Sequence, residues 1–341
     1  METKIFNTQE ISAAAALLRQ GELISFPTET VYGLGAVINR EASVKAVYQA
    51  KGRPSDNPLI VHVNSSEMVW HYAAKNAAAL ALMKAFWPGP LTIILPILPG
   101  SLLPCVTGGL QTAAFRMPNN AATLALIRET GIPIVGPSAN TSGKPSPTTA
   151  QHVYHDLGGK IAGILDDGPT KVGLESTVID LSVQPAAILR PGFINADDLA
   201  PIIGPVETEQ HHVKKDEIPK APGMKYKHYA PSAQVLIVAN QSDFKATVAQ
   251  ELTQQTAPLG ILAFDQQLAQ LKLDTNSHQV LTYSLGDNIT TAAQDLFAGL
   301  RFFDDHPQVK VILAAGVAEQ KLGLAYMNRL KKAAGGQFYQ K

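Results

Sequence analysis

The segment Lys51–Val63 reads KGRPSDNPLIVHV and joins a loop marked by glycine and proline to an apolar strand. The loop carries two cations, Lys51 and Arg53, together with the amide of Asn57. Successive side chains of a strand point to opposite faces, so His62 is predicted to point away from the apolar residues on either side of it. This combination is typical of an anion-binding loop, although a single Lys-Gly-Arg sequence is more often a solvated surface turn. Other segments of the chain decide between these two interpretations.

The composition favours two ordinary globular domains. The chain has 341 residues, enough for two hydrophobic cores. Lys plus Arg and Asp plus Glu number 28 each, and 19 of each precede Ser232 while nine of each follow it. This balance argues against a basic nucleic-acid-binding surface in either half. The only cysteine, Cys105, excludes a disulfide framework and a cysteine metal cluster, and fits a reducing compartment.

Targeting and membrane signals are not expected in this sequence. Residues 1–9 lack the apolar core of a signal peptide. The apolar run Leu91–Leu103 is interrupted by Pro96, Pro99 and Gly100 and is too short to span a bilayer. We therefore expect a cytoplasmic protein without membrane contact.

The pattern of elements changes twice along the chain. Strands and helices through residue 204, with polar loops at the strand ends, predict one α/β domain on a twisted mixed sheet at 1–204. From 205 to 232 the periodicity fails over a stretch longer than most unstructured connections, which predicts a linker with a function of its own. Regular alternation from 233 to 341 predicts a smaller, doubly wound, Rossmann-like parallel sheet. Its predicted strands are Gln234–Val238, Leu259–Phe264, Gln279–Tyr283 and Lys310–Leu313.

Hydroxyl, amide and cationic side chains recur in the loops of the first domain. They are Thr28, Thr30, Tyr32, Lys51, Arg53, Asn57, His62, Thr112, Arg116, Ser138, Asn140, Ser146, Ser176 and Arg190. Taken singly, each has an ordinary explanation as a turn former, helix cap, strand residue or surface cation. Together, four cations and many neutral donors without an acid or a nucleophile indicate a polyphosphate site that works by positioning and charge neutralisation.

Spacing rules out two familiar phosphate-binding motifs. The segment Gly136–Lys144 ends in Gly-Lys, but six residues separate its glycines instead of four, and Pro145 stands where Ser or Thr is needed. The pair Gly33 and Gly35 lacks the third glycine of a dinucleotide fingerprint.

Three elements together resemble a known family. The sequences SFPTETVYGLG at 25–35, KGR at 51–53 and SAN at 138–140 resemble the YrdC/TsaC family, whose pattern pairs a Lys-x-Arg element with a Ser-x-Asn element. The segment PGMKYKHYAP at 222–231 and the α/β domain after it look like the two-domain L-threonylcarbamoyladenylate synthases of that family.

The resemblance implies an adenylyl-transferring enzyme. Such an enzyme combines L-threonine, bicarbonate or CO2, and ATP into threonylcarbamoyl-AMP and pyrophosphate, the first stage of threonylcarbamoyladenosine synthesis in tRNA. It implies a YrdC-like catalytic domain with a deep concave site at 1–204, an active-site lid at 205–232 and a C-terminal α/β domain at 233–341. Mg²⁺ is expected with ATP, without protein side chains as ligands. The product would pass to a tRNA threonylcarbamoyl transferase, and the neutral charge balance makes direct tRNA binding unexpected.

The family's roles, carried over to matching positions, divide the candidate residues into two sets. The predicted L-threonine set is Thr30, Tyr32, His62, Arg116 and Ser176. The predicted ATP set is Lys51, Arg53, Asn57, Thr112, Ser138, Asn140, Ser146, Arg190 and Tyr229 of the linker. Lys51 and Arg53 would stabilise charge on the phosphates, and no nucleophile or general base is assigned.

Two alternative functions stay open on sequence alone. One is an RNA-binding module with a basic concave surface, against which the charge balance and the lack of interleaved aromatic residues count. The other is a domain that handles a carbamoyl-adenylate for a different acceptor, which would share the fold and much of the site.

Overall fold

The computed structural model describes residues 2–208, 219–220, 228–254, 256–271 and 280–340. The chain forms two compact units. The first comprises Met1–Ser142, Ser146–Lys171 and Glu175–Tyr226, and the second comprises Gly143–Pro145, Val172–Leu174 and Lys227–Lys341. Most of the predicted lid at 205–232 lies outside the described residues, as does Gln279 at the start of a predicted strand.

The strands of the first unit belong to one mixed sheet. They are β1 (Lys4–Phe6), β2 (Ile24–Phe26), β3 (Gly33–Val37), β4 (Ile60–His62), β5 (Leu91–Pro96), β6 (Thr112–Arg116), β7 (Ile134–Val135), β8 (Gly163–Leu165), β9 (Thr177–Asp180), β10 (Ala186–Arg190) and β11 (Val206–Glu207). Over the described residues the sheet has eleven strands in the order β1-β8-β2-β3-β7-β4-β6-β5-β9-β10-β11. The sheet contains parallel pairs such as β4 with β6 and antiparallel pairs such as β5 with β6, which confirms the predicted mixed sheet.

The helices of the first unit cover this sheet. They are α1 (Ile11–Gln20), α2 (Glu41–Lys51), α3 (Ser66–Val69), α4 (Ala77–Phe86), α5 (Pro104–Thr107), α6 (Ala121–Thr130), α7 (Ala150–Leu157) and α8 (Ala196–Ile203). Side-chain caps fix several of their starts: Asn120, for example, accepts from the backbone N–H of Thr123. Helix α2 ends at Gly52, whose φ of 60° is a left-handed conformation that glycine adopts without strain. The chain therefore turns away directly after Lys51.

The main core of the first unit lies on one face of the strands. Leu59, Val61 and Val63 belong to it, together with residues of α2, α4 and α7. His62 points to the opposite face, where its ring meets that of Phe26 edge-on at 5.2 Å between centroids. The predicted orientation of His62 is confirmed.

The second unit contains a parallel sheet. Its strands are β12 (Gln234–Val238), β13 (Leu259–Ala263), β14 (Val280–Ser284) and β15 (Val311–Ala315), and its helices are α9 (Phe244–Gln254), α10 (Asp265–Leu271), α11 (Ile289–Asp304) and α12 (Leu322–Ala333). The strand order over the described residues is β12-β15-β13-β14, with each neighbouring pair parallel. This confirms the predicted Rossmann-like arrangement. No helix in the described ranges is long and apolar enough to cross a membrane.

Candidate active site

Strand register brings His62 and Arg116 together. They are paired residues of the neighbouring parallel strands β4 and β6, and both side chains are buried. The Arg116 guanidinium donates from Nη1 to Thr30 Oγ1 over 2.8 Å and from Nε to the Gly89 carbonyl oxygen over 3.4 Å. Three residues of the predicted L-threonine set, Thr30, His62 and Arg116, therefore form one buried cluster.

The loop after β2 fixes how the Thr30 hydroxyl is used. Thr28 Oγ1 accepts from the backbone N–H groups of Thr30 and Val31 and donates to the Val31 carbonyl oxygen over 2.7 Å. Thr30 Oγ1 lies 2.9 Å from Thr28 Oγ1 and accepts from Arg116 Nη1. One of its lone pairs therefore faces Arg116, which pre-orients the guanidinium.

The His62 imidazole is neutral in this environment. Burial, and secondly the positive charge of Arg116, lower the pKa of His62 from 6.5 to about 3. Its Nδ1 atom is buried and has no hydrogen-bond partner among the residues that the structure describes. The ring thus offers an unused polar atom without carrying charge.

Two glycines leave the space that the rings of Phe26 and His62 occupy. A Cβ atom on Gly33 would lie 2.5 Å from Phe26 Cζ. A Cβ atom on Gly136 would lie 2.5 Å from Phe26 Cζ and 2.6 Å from His62 Nδ1. Both distances are far below normal contact, so these positions keep the face of the sheet open for the two rings.

The hydroxyl of Tyr32 is engaged inside the protein. It donates to the Gly168 carbonyl oxygen over 2.7 Å and lies 3.1 Å from Asp166 Oδ1. Burial and the nearby Asp166 carboxylate raise the pKa of Tyr32 above its ordinary value. Tyr32 therefore supports the loop between β2 and β3, while its direct contact with an amino acid stays a prediction.

Ser176 and Arg190 link the two predicted sets. Arg190 donates from Nε to the Ser176 carbonyl oxygen over 3.0 Å and from Nη2 to Ser176 Oγ over 3.1 Å. Ser176 Oγ also lies 2.7 Å from Thr92 Oγ1. A residue predicted for L-threonine thus touches one predicted for ATP.

Lys51 and Asn140 are buried and form a second group with the half-buried Ser138. Lys51 Nζ donates to the carbonyl oxygens of Ser138 and Asn140, the latter over 2.6 Å. Ser138 Oγ donates to Asn140 Oδ1 over 2.6 Å. The Lys-x-Arg and Ser-x-Asn elements, 87 residues apart in sequence, are thereby joined through one ammonium group.

The remaining members of the ATP set vary in exposure, and one of them, Tyr229, belongs to the second unit. Arg53 is half-buried and donates from Nη2 to the carbonyl oxygens of Asn57 and Pro58 over 3.4 and 3.3 Å. The Asn57 side chain is buried, and its Oδ1 atom has no hydrogen-bond partner in the described part of the chain. Thr112 is half-buried at the start of β6.

Tyr229 is a buried residue of the second unit. Its φ of 65° places it in the left-handed region, and its ring lies 5.0 Å from that of Phe297 and 5.4 Å from that of His228. Its proposed position over ATP stays a prediction.

The expectation of a site without acids is wrong. Glu29 is buried with its Oε2 atom 2.8 Å from Arg116 Nη2, and Glu175 is buried with its Oε1 atom accepting from Ser146 Oγ over 2.5 Å. Buried cations need counter-charges nearby, because an unpaired ion in the interior is costly. A sequence signal existed for both, since Glu29 lies inside the quoted segment 25–35 and Glu175 directly precedes Ser176.

Two family profiles match the chain. Residues 16–192 match the profile of the Sua5/YciO/YrdC family, which carries the description telomere recombination. Residues 194–335 match the profile described as threonylcarbamoyl-AMP synthase, C-terminal domain.

Individual relatives cover nearly the whole chain. A threonylcarbamoyl-AMP synthase of Bacillus subtilis is 46% identical over 332 residues, 97% of this chain and 94% of the relative. A protein of the same name from Pyrococcus abyssi is 44% identical and covers 98% of both sequences. The crystal structure of P. abyssi Sua5 complexed with L-threonine superposes with a TM-score of 0.89 at 42% identity, covering 98% of this chain and 99% of that one.

Proposed function

The chain belongs to the Sua5/YciO/YrdC family, and we propose that it combines L-threonine, bicarbonate and ATP into threonylcarbamoyl-AMP and pyrophosphate. The observation that carries the proposal is its similarity, over both units, to proteins named threonylcarbamoyl-AMP synthase. That similarity favours an adenylyl-transferring enzyme over an RNA-binding module and over a domain serving a different carbamoyl acceptor.

The buried cluster around Arg116 has the chemistry to hold L-threonine. A guanidinium matches a carboxylate, and the neutral His62 ring and the Ser176 hydroxyl can hydrogen-bond without adding charge. A pocket built to hydrogen-bond the threonine hydroxyl rejects alanine and valine more strongly than an apolar pocket would. The relative solved in complex with L-threonine supports L-threonine as the ligand.

The second set has the chemistry to hold ATP. Arg53 and Arg190 present donors that suit phosphate oxygens, while Lys51, by its bonds to Ser138 and Asn140, orders the loop between them. The set also includes Asn57, Thr112, Ser146 and Tyr229. Since Arg190 touches Ser176, the two substrates would meet at that pair.

The reaction joins two anions. The threonine amino group, once it has lost a proton to solvent, attacks the carbon of CO2, and the nitrogen gives up a second proton as the carbamate forms. With bicarbonate, a C–O bond of the bicarbonate breaks and a water molecule leaves. A carbamate oxygen then bonds to the α-phosphorus of ATP, the bond from that phosphorus to the β-phosphate oxygen breaks, and pyrophosphate leaves. Fixed cations lower the repulsion between carbamate and triphosphate and spread the charge on the leaving group.

Mg²⁺ fits the site as a companion of ATP. Among the described residues no group of three or more His, Cys, Asp or Glu side chains is placed to hold a metal ion. Mg²⁺ keeps water and phosphate oxygens as ligands in many nucleotide sites, so such a group is not required. When bound, the ion would neutralise phosphate charge.

The segment 205–232 is proposed as a lid that excludes water from the labile carbamate, with Tyr229 closing on the nucleotide. The product would pass to a tRNA threonylcarbamoyl transferase, which completes the modification of tRNA.

The experiment that tests the function is pyrophosphate release by purified protein. Release should require L-threonine, bicarbonate and ATP together, and threonylcarbamoyl-AMP should be detected by mass spectrometry. Serine, alanine and valine in place of threonine should give much less product. Release that is independent of the amino acid, or tight, salt-sensitive tRNA binding without ATP binding, would contradict the proposal.

A further inference from the structure

Glu29 and Arg116 form a buried pair whose atoms approach without bonding fully. Glu29 Oε2 lies 2.8 Å from Arg116 Nη2, and the two side chains are 7% and 5% exposed. Neither of these atoms, nor Glu29 Oε1, meets the geometry of a hydrogen bond with any residue that the structure describes. The charges therefore attract each other while their hydrogen-bonding capacity remains unused.

Arg116 has unused hydrogen-bond donors, whereas Glu29 has unused acceptors. Arg116 directs Nη1 to Thr30 and Nε to the Gly89 carbonyl oxygen, which leaves the two N–H groups of Nη2 and one of Nη1. The ionised carboxylate of Glu29 only accepts, and both of its oxygens are unused. A ligand that completes this pair must present an acceptor to Arg116 and a donor to Glu29.

The charge of the pair further restricts the class of ligand that can bind there. The pair is neutral as a whole, so a ligand of net charge would leave an unbalanced charge in the interior, which is costly. A zwitterion adds no net charge and carries both complementary groups. An α-amino acid is the simplest such molecule, with a carboxylate for Arg116 and an ammonium group for Glu29.

We propose that Glu29 is the carboxylate that binds the α-ammonium group of L-threonine, and that it selects the amino acid against analogues without that group. This rests on the proposed function, because it assumes that Arg116 binds the threonine carboxylate. The ammonium group of L-threonine donates to Glu29 before the second substrate binds. This bond holds the threonine nitrogen in place until the carbamate forms.

An ion pair with a purely structural role explains these observations less well than a ligand-binding pair does. In such a pair the guanidinium and carboxylate align and share hydrogen bonds, commonly two. Here Arg116 uses its aligned bonds on Thr30 and Gly89 instead. The second buried glutamate, Glu175, behaves in the ordinary way, since its Oε1 atom accepts from Ser146.

The test compares L-threonine with 2,3-dihydroxybutyrate of the same stereochemistry, in which a hydroxyl replaces the ammonium group. Dissociation constants of both are measured by calorimetry for the wild type, Glu29→Gln, Glu29→Asp and the exposed control Glu41→Gln. Glu29→Gln should weaken L-threonine binding about 10- to 150-fold, the range of a charged hydrogen bond. The analogue should bind Glu29→Gln at least as tightly as the wild type, because its single negative charge then balances Arg116, and Glu29→Asp should restore part of the preference for L-threonine.

Equal weakening of both ligands in Glu29→Gln would show a structural role and overturn the inference, as would unchanged binding of L-threonine. ATP affinity and the thermal midpoint of each variant report folding. If Glu29→Gln does not fold, the wild type still decides, because equal affinity for the two ligands overturns the inference. Failure of the proposed function is separate, since it shows as a wild type that binds L-threonine without releasing pyrophosphate.

Discussion

Lys51 Nζ lies 2.6 Å from the carbonyl oxygen of Asn140, inside the protein. The ammonium group therefore donates directly to the backbone of the Ser-x-Asn turn, in addition to any phosphate that it binds. We expect Lys51→Met to lower the free energy of unfolding by about 1 to 3 kcal/mol, because a buried carbonyl loses its charged donor. The KM for ATP should also rise, since the turn that carries Ser138 and Asn140 is no longer held.

The matched control for this variant is Lys45→Met on the same helix. The Lys45 side chain is 61% exposed and pairs with Glu41 one turn away. Chemical denaturation of both variants gives the free energy of unfolding, and steady-state kinetics give the KM for ATP. A Lys51→Met protein as stable as Lys45→Met would show that the bonds to the turn contribute little.

Much of the fold follows from local patterns in the sequence. Alternation around His62 predicts its orientation, and regular strand-helix spacing predicts the second unit. Either Asn119 or Asn120 is expected to cap helix α6 and Gly131 to end it, and the structure uses Asn120. These features depend on residues close together in the chain, so periodicity and capping chemistry suffice.

The parts that sequence could not provide depend on distant contacts. Strand β1 pairs with β8, in a register that joins Lys4 to Gly163, and nothing in a three-residue strand predicts that partner. The contact between Arg190 and Ser176 likewise depends on how β9 and β10 pair. Glu29 was missed because an isolated acid is ordinarily solvated, and only the fold shows that it is buried beside Arg116.

Arg53→Ala should separate activity from stability. Its bonds to the carbonyl oxygens of Asn57 and Pro58 are long, at 3.4 and 3.3 Å, so their loss should change the free energy of unfolding by less than about 1 kcal/mol. If Arg53 stabilises phosphate charge in the transition state, kcat should fall about 100-fold or more. The exposed Arg128→Ala serves as the control, and wild-type turnover by Arg53→Ala would make this loop a surface turn.

His62 should make the protein less stable as the pH falls. An unfolded histidine takes up a proton below a pH of about 6.5, whereas burial and Arg116 hold the native pKa of His62 at about 3. Between these values the unfolded state binds more protons, so this residue lowers the free energy of unfolding by up to about 1.4 kcal/mol per pH unit on acidification. The loss should level off below the native pKa.

The measurement is the difference in unfolding free energy between the wild type and His62→Gln from pH 7.5 to pH 3, since other acids titrate alike in both. The wild type should lose stability relative to the variant as the pH falls. Parallel curves for the wild type and His62→Gln would contradict a buried, neutral His62.

Gly136→Ala should damage the L-threonine pocket through one methyl group. The new Cβ would lie 2.5 Å from Phe26 Cζ and 2.6 Å from His62 Nδ1, and both rings are buried and have little room to move. We expect a loss of about 1 to 3 kcal/mol in stability and a higher KM for L-threonine, because His62 is displaced beside Arg116.

Gly100→Ala is the informative control: its Cβ meets nothing within 4 Å, but its φ of 72° strains any other residue. Both variants should lose stability in thermal unfolding, by different causes, but only Gly136→Ala should lose affinity for L-threonine. An equal KM for the two variants would mean that the pocket does not need His62 where the structure places it.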